Sequence, residues 1–228
     1  MLNTSEENRF LYSAAESSPY FDRDRAELLS QWLQNLSPIS RSLDIGCARG
    51  GFSALLPEKV EKWGLDFERH PNLPENFKFH ICDFSQSWSV PQNYFDIVLA
   101  GEVIEHVLDT DLFLQQCFDV LHQGGYLLLT TPNLSSFANL RYWLQTDQFM
   151  WVDSGANQLG HVRYLAPKRM ESVLKNAGFD NIVMKSVAGL ESLEFFPPLR
   201  RLIQQLFPLR GNRLCVMARK PYSFKKLS

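Results

Sequence analysis

Residues 43–53 read Leu-Asp-Ile-Gly-Cys-Ala-Arg-Gly-Gly-Phe-Ser, and no other stretch constrains the fold as tightly. An apolar run ends in Asp44, breaks at Gly46, and passes through Gly50 and Gly51 before apolar residues resume. Glycines at such a break let backbone N–H groups approach a ligand, and a helix opening there adds partial positive charge. Strand, glycine loop and helix in that order point to an α/β fold with a parallel sheet.

The alternation continues along the chain. Residues 22–36 place Ala26, Leu28, Leu29, Trp32, Leu33 and Leu36 at helical spacing and end near Pro38. Strands are predicted over 41–45, 60–65, 77–82, 95–100 and 126–131. Helices are predicted from the glycine loop to about Leu56, over 109–122, and from Pro167 to Gly178, with Gly124-Gly125 turning the chain into the fifth strand. Two further runs, near 181–187 and 213–219, read as strands that pair antiparallel at the sheet edge.

The 228 residues suffice for one well-buried domain, and 45% hydrophobic with 21% charged residues is an ordinary globular composition. No basic flank precedes an apolar core at the N-terminus, and no run approaches the ~18 apolar residues of a membrane span. Cys47, Cys82, Cys117 and Cys215 form no Cys-x-x-Cys pair and read as buried thiols of a reducing, cytoplasmic compartment. After Glu194 there is no acidic residue, and the eight Lys and Arg beyond it, set against a net charge of −2, leave the rest at −10. Such acidity argues against a general nucleic-acid partner. The segment 195–210 carries Leu199, Leu202, Ile203, Leu206 and Phe207 on one face and Arg200, Arg201, Gln204 and Gln205 on the other. It suits either an anionic membrane surface or the edge of its own domain.

Asp44 sits just before the loop, where a carboxylate repels a pyrophosphate and attracts an amino group. A ligand with a nucleoside end and an amino-acid end therefore fits better than a dinucleotide, and S-adenosylmethionine is such a ligand. The stretch resembles the motif Asp-x-Gly-x-Gly-x-Gly of class I S-adenosylmethionine-dependent methyltransferases. Asp44, Gly46 and Gly50 match, and Ala48 stands where the middle glycine would be. The resemblance covers nearly the whole chain. It implies a Rossmann-like α/β fold: a seven-stranded, mostly parallel sheet with helices on both faces and a last antiparallel strand. It also implies a single domain over 1–228, with an N-terminal cap at 1–40, a substrate lid at 132–163 and an amphipathic insertion at 190–212.

Asp66 ends the second strand, where a carboxylate can accept hydrogen bonds from ribose hydroxyls, though a solvated strand end is the plain alternative. The resemblance implies a cofactor site of Asp44, Gly46, Cys47 and Gly50 in the loop and Asp66 and Phe67 at the ribose. Asp83 and Phe84 would stand at the adenine, and Ala100, Gly101 and Glu102 near the sulfonium. Asp83 also reads as a turn cap, and Asp44 as a cap for the loop. Arg49 either meets the cofactor carboxylate or points to solvent. Aromatic residues between Phe10 and Tyr20 are candidates to close over the cofactor.

Directly after the fourth strand comes Gly-Glu-Val-Ile-Glu-His-Val, residues 101–107. It resembles the Ile-Glu-His-Val sequence of ubiquinone-forming methyltransferases, methionine-pathway relatives and small-RNA 2′-O-methyltransferases. If helical, Glu102, Glu105 and His106 share one face. In two of those groups, two Glu and one His here plus a His after strand five hold a divalent cation, and Glu102, Glu105, His106 and His161 fill those positions. Such donors suit Mg²⁺, Mn²⁺ or Zn²⁺. Without a metal, His106, His161 and Glu105 are candidate catalytic groups, or Glu105 and His106 merely cap the next helix. Residues 132–163 hold Phe137, Tyr142, Trp143, Phe149, Met150 and Trp151, which suits an apolar or ring-bearing acceptor or a lid packed on itself. The expected function is methyl transfer to a hydroxyl of a small-molecule or lipid-like acceptor, with peripheral membrane contact. The rivals are RNA 2′-O-methylation and a non-catalytic cofactor-binding regulator.

Overall fold

The structure is a computed structural model and describes residues 23–36, 38–149, 161–187, 202 and 205–222. The aromatics between Phe10 and Tyr20, Met150 and Trp151, and Leu199, Arg200, Arg201, Ile203 and Gln204 lie outside the described residues.

In chain order the elements are helix α1 (Arg23–Gln34), strand β1 (Arg41–Ile45), a 3₁₀ turn (Ser53–Leu55), and strands β2 (Glu61–Asp66), β3 (Lys78–Ile81) and β4 (Phe95–Gly101). A second 3₁₀ turn (Ile104–His106), helix α2 (Thr110–Val120), strand β5 (Leu121–Pro132) and helix α3 (Phe137–Thr146) follow. Among the described residues, helix α4 (Pro167–Asn176) and strands β6 (Asp180–Val187) and β7 (Arg213–Arg219) come next. One seven-stranded sheet runs β3-β2-β1-β4-β5-β7-β6. Its strands are parallel except β7, which enters between β5 and β6 and pairs antiparallel with both. The final strand is therefore inserted inside the sheet, and β6 takes the edge.

The sheet is covered on both faces, which is why its central strands read as unbroken apolar runs. On β4, Val98 and Ala100 join α2 (Phe113, Leu114, Cys117) and α4 (Met170, Val173, Leu174) in one core. Ile97 and Leu99 point the other way, to Leu28, Leu29, Trp32 and Leu33 of α1. The period of two in β4 meets the helical spacing of α1 on one side and α2 on the other. Asp109 caps α2 by accepting from Leu112 N at 2.9 Å, and Pro167 opens α4. Gly178, at φ +98°, closes α4 with Phe179 N donating to Leu174 O at 3.1 Å.

Two expectations are corrected. The glycine loop does not open into a helix reaching Leu56; the 3₁₀ turn Ser53–Leu55 is all that forms. Few residues separate the loop from Pro57, and Asp44 fixes Ser53 from below, so no helical dipole builds up there. Gly124 and Gly125 are not a turn before β5 but lie within it. Gly124 adopts φ +86°, and the register against β4 jumps from Phe95↔Leu121 to Ile97↔Tyr126, a bulge that two glycines tolerate. Helix α3 inside the 132–163 insertion is new; Ser136 starts it by accepting from Asn139 N at 3.1 Å.

Candidate active site

Parallel pairing brings the carboxyl ends of β1, β2 and β4 together, with Ile45 opposite both Leu65 and Ala100. Ligands of open α/β sheets bind at such ends. The loop after β1 is held close to its neighbours. Gly46 has φ +65°, and a Cβ there would come within 2.5 Å of Val103 Cγ2. Gly50, at φ +78°, lies against Phe77. Ala48 has φ +41°, so the position where the resembled motif carries glycine demands a glycine-like conformation here too.

The acidic residues fall into place at the same end. Asp44 is 2% exposed and accepts from Ser53 N at 3.2 Å and Ser53 Oγ at 2.8 Å. Its role in the structure is that of loop cap, and burial pushes its carboxyl up to about 7. Asp66 accepts from Ala48 N (2.9 Å) with one oxygen and Phe67 N (2.8 Å) with the other, which ties β2 to the glycine loop. Asp83 is exposed and accepts from Ser85 N and Oγ on a single oxygen, Oδ1, and those bonds hold its carboxyl below the usual range. Phe84 is buried with Trp88 and Phe113, while Phe67, 62% exposed, lies 5.1 Å away, ring centroid to centroid. The Phe67–Phe84 contact thus brings Asp66 and Phe67 at the end of β2 beside Asp83 and Phe84 after β3. Cys47 is buried against Gly64 and Phe77, and burial pushes its thiol up, so it packs and does not ionise. Arg49 is exposed, 3.3 Å from His70. Ala100 is buried, and the ring of Phe52 lies over Gly101 so closely that a Cβ would stand 2.0 Å from it.

Beyond Gly101 the chain does not continue as an α-helix. Glu102 takes φ +57°, and the 3₁₀ turn follows. The shared helical face is therefore replaced by a turn that sends two carboxylates in different directions. Glu102 accepts from Thr130 Oγ1 at 2.8 Å, faces Arg25 Nη1 at 3.2 Å, and accepts from Arg213 Nη1. Glu105 is 1% exposed and accepts from Thr131 Oγ1 at 3.1 Å, while its Oε1 is buried with no hydrogen-bond partner. Burial, and then the charge of Glu102, push its carboxyl up to about 8.

His161 arrives from the far end of the insertion. Val162 N and Arg163 N both donate to Glu105 O, at 2.8 and 3.0 Å, which lays this segment across the turn. Arg163 reinforces it by donating to Leu108 O. The His106 and His161 rings stand edge to face at 4.7 Å. His161 Nδ1 is buried without a hydrogen-bond partner, and burial, then His106, lower its pKa. Ligand atoms of Glu105, His106 and His161 all lie within 4.8 Å of one another. One carboxylate and two imidazoles so close together, with Glu105 Oε1 and His161 Nδ1 buried and lacking hydrogen-bond partners, are a donor set that could hold a divalent cation. Among the described residues, this set excludes Glu102. Arg25, Thr130, Thr131, Arg163 and Arg213 were missed from sequence. Only the Thr-Thr pair closing an apolar strand gave a signal.

Residues 21–183 match the family described as a methyltransferase domain. The mitochondrial ubiquinone biosynthesis O-methyltransferase of Rattus norvegicus is 26% identical over 165 residues, covering 65% of this chain and 46% of that protein. The chain therefore spans under half the length of that relative. The ubiquinone biosynthesis O-methyltransferase of Azorhizobium caulinodans is 29% identical over 188 residues, covering 73% of this chain and 67% of that protein. A solved S-adenosylmethionine-dependent methyltransferase from Archaeoglobus fulgidus shares the fold, with a TM-score of 0.59 and 19% identity over 93% of this chain and 99% of that one.

Proposed function

The chain belongs to the methyltransferase-domain family, and on that premise we propose that it moves a methyl group from S-adenosylmethionine to a hydroxyl oxygen of a small-molecule or lipid-like acceptor. The observation that carries this reading is the Glu105–His106–His161 cluster, set beside a glycine loop that Asp44 and Asp66 hold in place. S-adenosylmethionine supplies an activated methyl group, and a divalent ion lowers the pKa of an oxygen bound to it.

The chain's own residues supply binding, alignment and a place for the proton. The grouping of Asp66, Phe67, Asp83 and Phe84 suits a nucleoside: carboxylates for ribose hydroxyls and the adenine amino group, rings for the base. Glu105, His106 and His161 would hold the cation. In a metal-free site, His161 is a base candidate, because burial favours its neutral imidazole and its buried Nδ1 has no hydrogen-bond partner. The names of the curated relatives support an oxygen acceptor. A lipid-like acceptor agrees with the exposed Leu140, Trp143 and Leu144 of α3, Phe149 beyond it, and Leu206 and Phe207. These make the insertion side the natural face for peripheral contact with a membrane.

Calorimetry with S-adenosylhomocysteine and with NAD tests the cofactor. The first should bind and the second should not. Replacing Asp66 with Ala should weaken binding by about 1.5–3 kcal/mol, the worth of hydrogen bonds to a charged group. Heat with NAD and none with S-adenosylhomocysteine would end this reading.

A further inference from the structure

The cation site is incomplete in a way that the sequence does not announce. Two glutamates three residues apart, Glu102 and Glu105, look equivalent, yet only Glu105 joins the histidines. Glu102 is held elsewhere by three groups from three elements: Arg25 of α1, Thr130 of β5 and Arg213 of β7. Each of its oxygens has an arginine. Arg213 Nη1 donates to Oε2, while Arg25 Nη1 and Thr130 Oγ1 face Oε1. Glu102 itself has a left-handed backbone, φ +57°, just before the turn that carries Glu105 and His106, and its charge is felt by Glu105 and His161 although it stands outside their 4.8 Å set. A guanidinium on a carboxylate is a charge-assisted contact of the stronger kind.

We propose that Arg213 keeps Glu102 out of the cation site and so decides which divalent ion the site prefers. The inference rests on reading Glu105, His106 and His161 as cation ligands. With Glu102 withheld, the protein offers two imidazoles and one carboxylate. Imidazole suits Zn²⁺, Co²⁺ and similar borderline ions, whereas Mg²⁺ seeks oxygen donors and sheds water reluctantly. A second carboxylate would shift the set toward harder ions. Arg213 is a positioning residue in this scheme; its charge also reaches Glu105 and His161 directly, and the double variant below separates that effect from its hold on Glu102.

The experiment measures ion binding, not turnover. Co²⁺ is titrated into the metal-free protein and followed by its visible absorption bands, and Mg²⁺ and Zn²⁺ are measured by competition against it. The wild type should bind Co²⁺ and Zn²⁺ and respond weakly to Mg²⁺. In Arg213→Gln, Mg²⁺ affinity should rise by about 10- to 100-fold, the range over which outer partners of metal ligands act. Arg213→Lys, which keeps the charge and loses the planar fork, should fall between the two. The double variant Arg213→Gln/Glu102→Gln should lose the gain, because the recruited carboxylate is gone. S-adenosylhomocysteine binding reports that each variant is folded. Co²⁺ bound normally with no change in Mg²⁺ affinity on Arg213→Gln, or a gain that survives in the double variant, overturns this proposal alone. A wild type that binds none of the ions overturns the cation reading and this proposal with it.

Discussion

With its carboxyl buried and pushed up to about 8, Glu105 keeps a proton in the folded chain where the unfolded chain has released it. Native protein then binds more protons than unfolded protein between the ordinary value of 4.5 and about 8. Stability from this group is complete below that window and is lost as pH rises through it. Asp44, pushed to about 7, acts in the same direction. Thermal unfolding followed from pH 5 to pH 9 should show Glu105→Gln matching the wild type in acid and exceeding it in base; parallel curves would show that this carboxyl titrates ordinarily. Ala48 offers a second test. Its left-handed φ costs an L-residue roughly 1–2 kcal/mol, which Ala48→Gly would relieve, less the ~0.5–1 kcal/mol of added chain entropy. Chemical denaturation should find Ala48→Gly no less stable than the wild type, with cofactor binding intact. Ala48 also shows what a sequence can tell at this scale. A motif glycine marks a backbone shape, so the shape is legible even where the glycine is missing. The arginines on Glu102 were not legible, because Arg213 lies 111 residues away and nothing local marks the pairing.

Elements were legible where burial imposes a period. The spacing in residues 22–36 became α1, and the apolar run at 95–100 became β4. The reading failed where one hydrogen bond or one bulge outweighed local preference, as at the 3₁₀ turn below Ser53 and at Gly124 within β5. Helix α3 went unread because its apolar side chains are largely exposed and show no clean stripe. What secures the insertion is Asn133, fully buried at the end of β5. Its Nδ2 donates to Leu209 O and Gly211 O, and its Oδ1 accepts from Ser135 N and Oγ. Asn133→Ala should cost about 2–3 kcal/mol, since it strands several buried polar groups at once. Urea unfolding measures this, and a loss below 0.5 kcal/mol, about the scatter of surface substitutions, would mean that water replaces the amide there.

At the scale of the whole molecule, charge is uneven along the sequence and several large apolar side chains are exposed. The chain is acidic up to Glu194 and has no acidic residue beyond it, and Trp143, Leu144, Leu206 and Phe207 remain exposed. Co-sedimentation with vesicles should therefore require anionic lipid and fall as salt rises, and Trp143→Ser with Leu144→Ser should reduce it. Equal recovery with neutral and anionic vesicles would leave these side chains as lid packing only. The position of β7 has a consequence for how the protein is made. The ribosome delivers that strand after β5 and β6, yet the sheet holds it between them. Until it emerges, β5 has an unpaired edge, β6 has no partner in the sheet, and Glu102 lacks Arg213. The centre is therefore finished last, and a product truncated before residue 213 would be both inert and prone to pair with other unfinished copies.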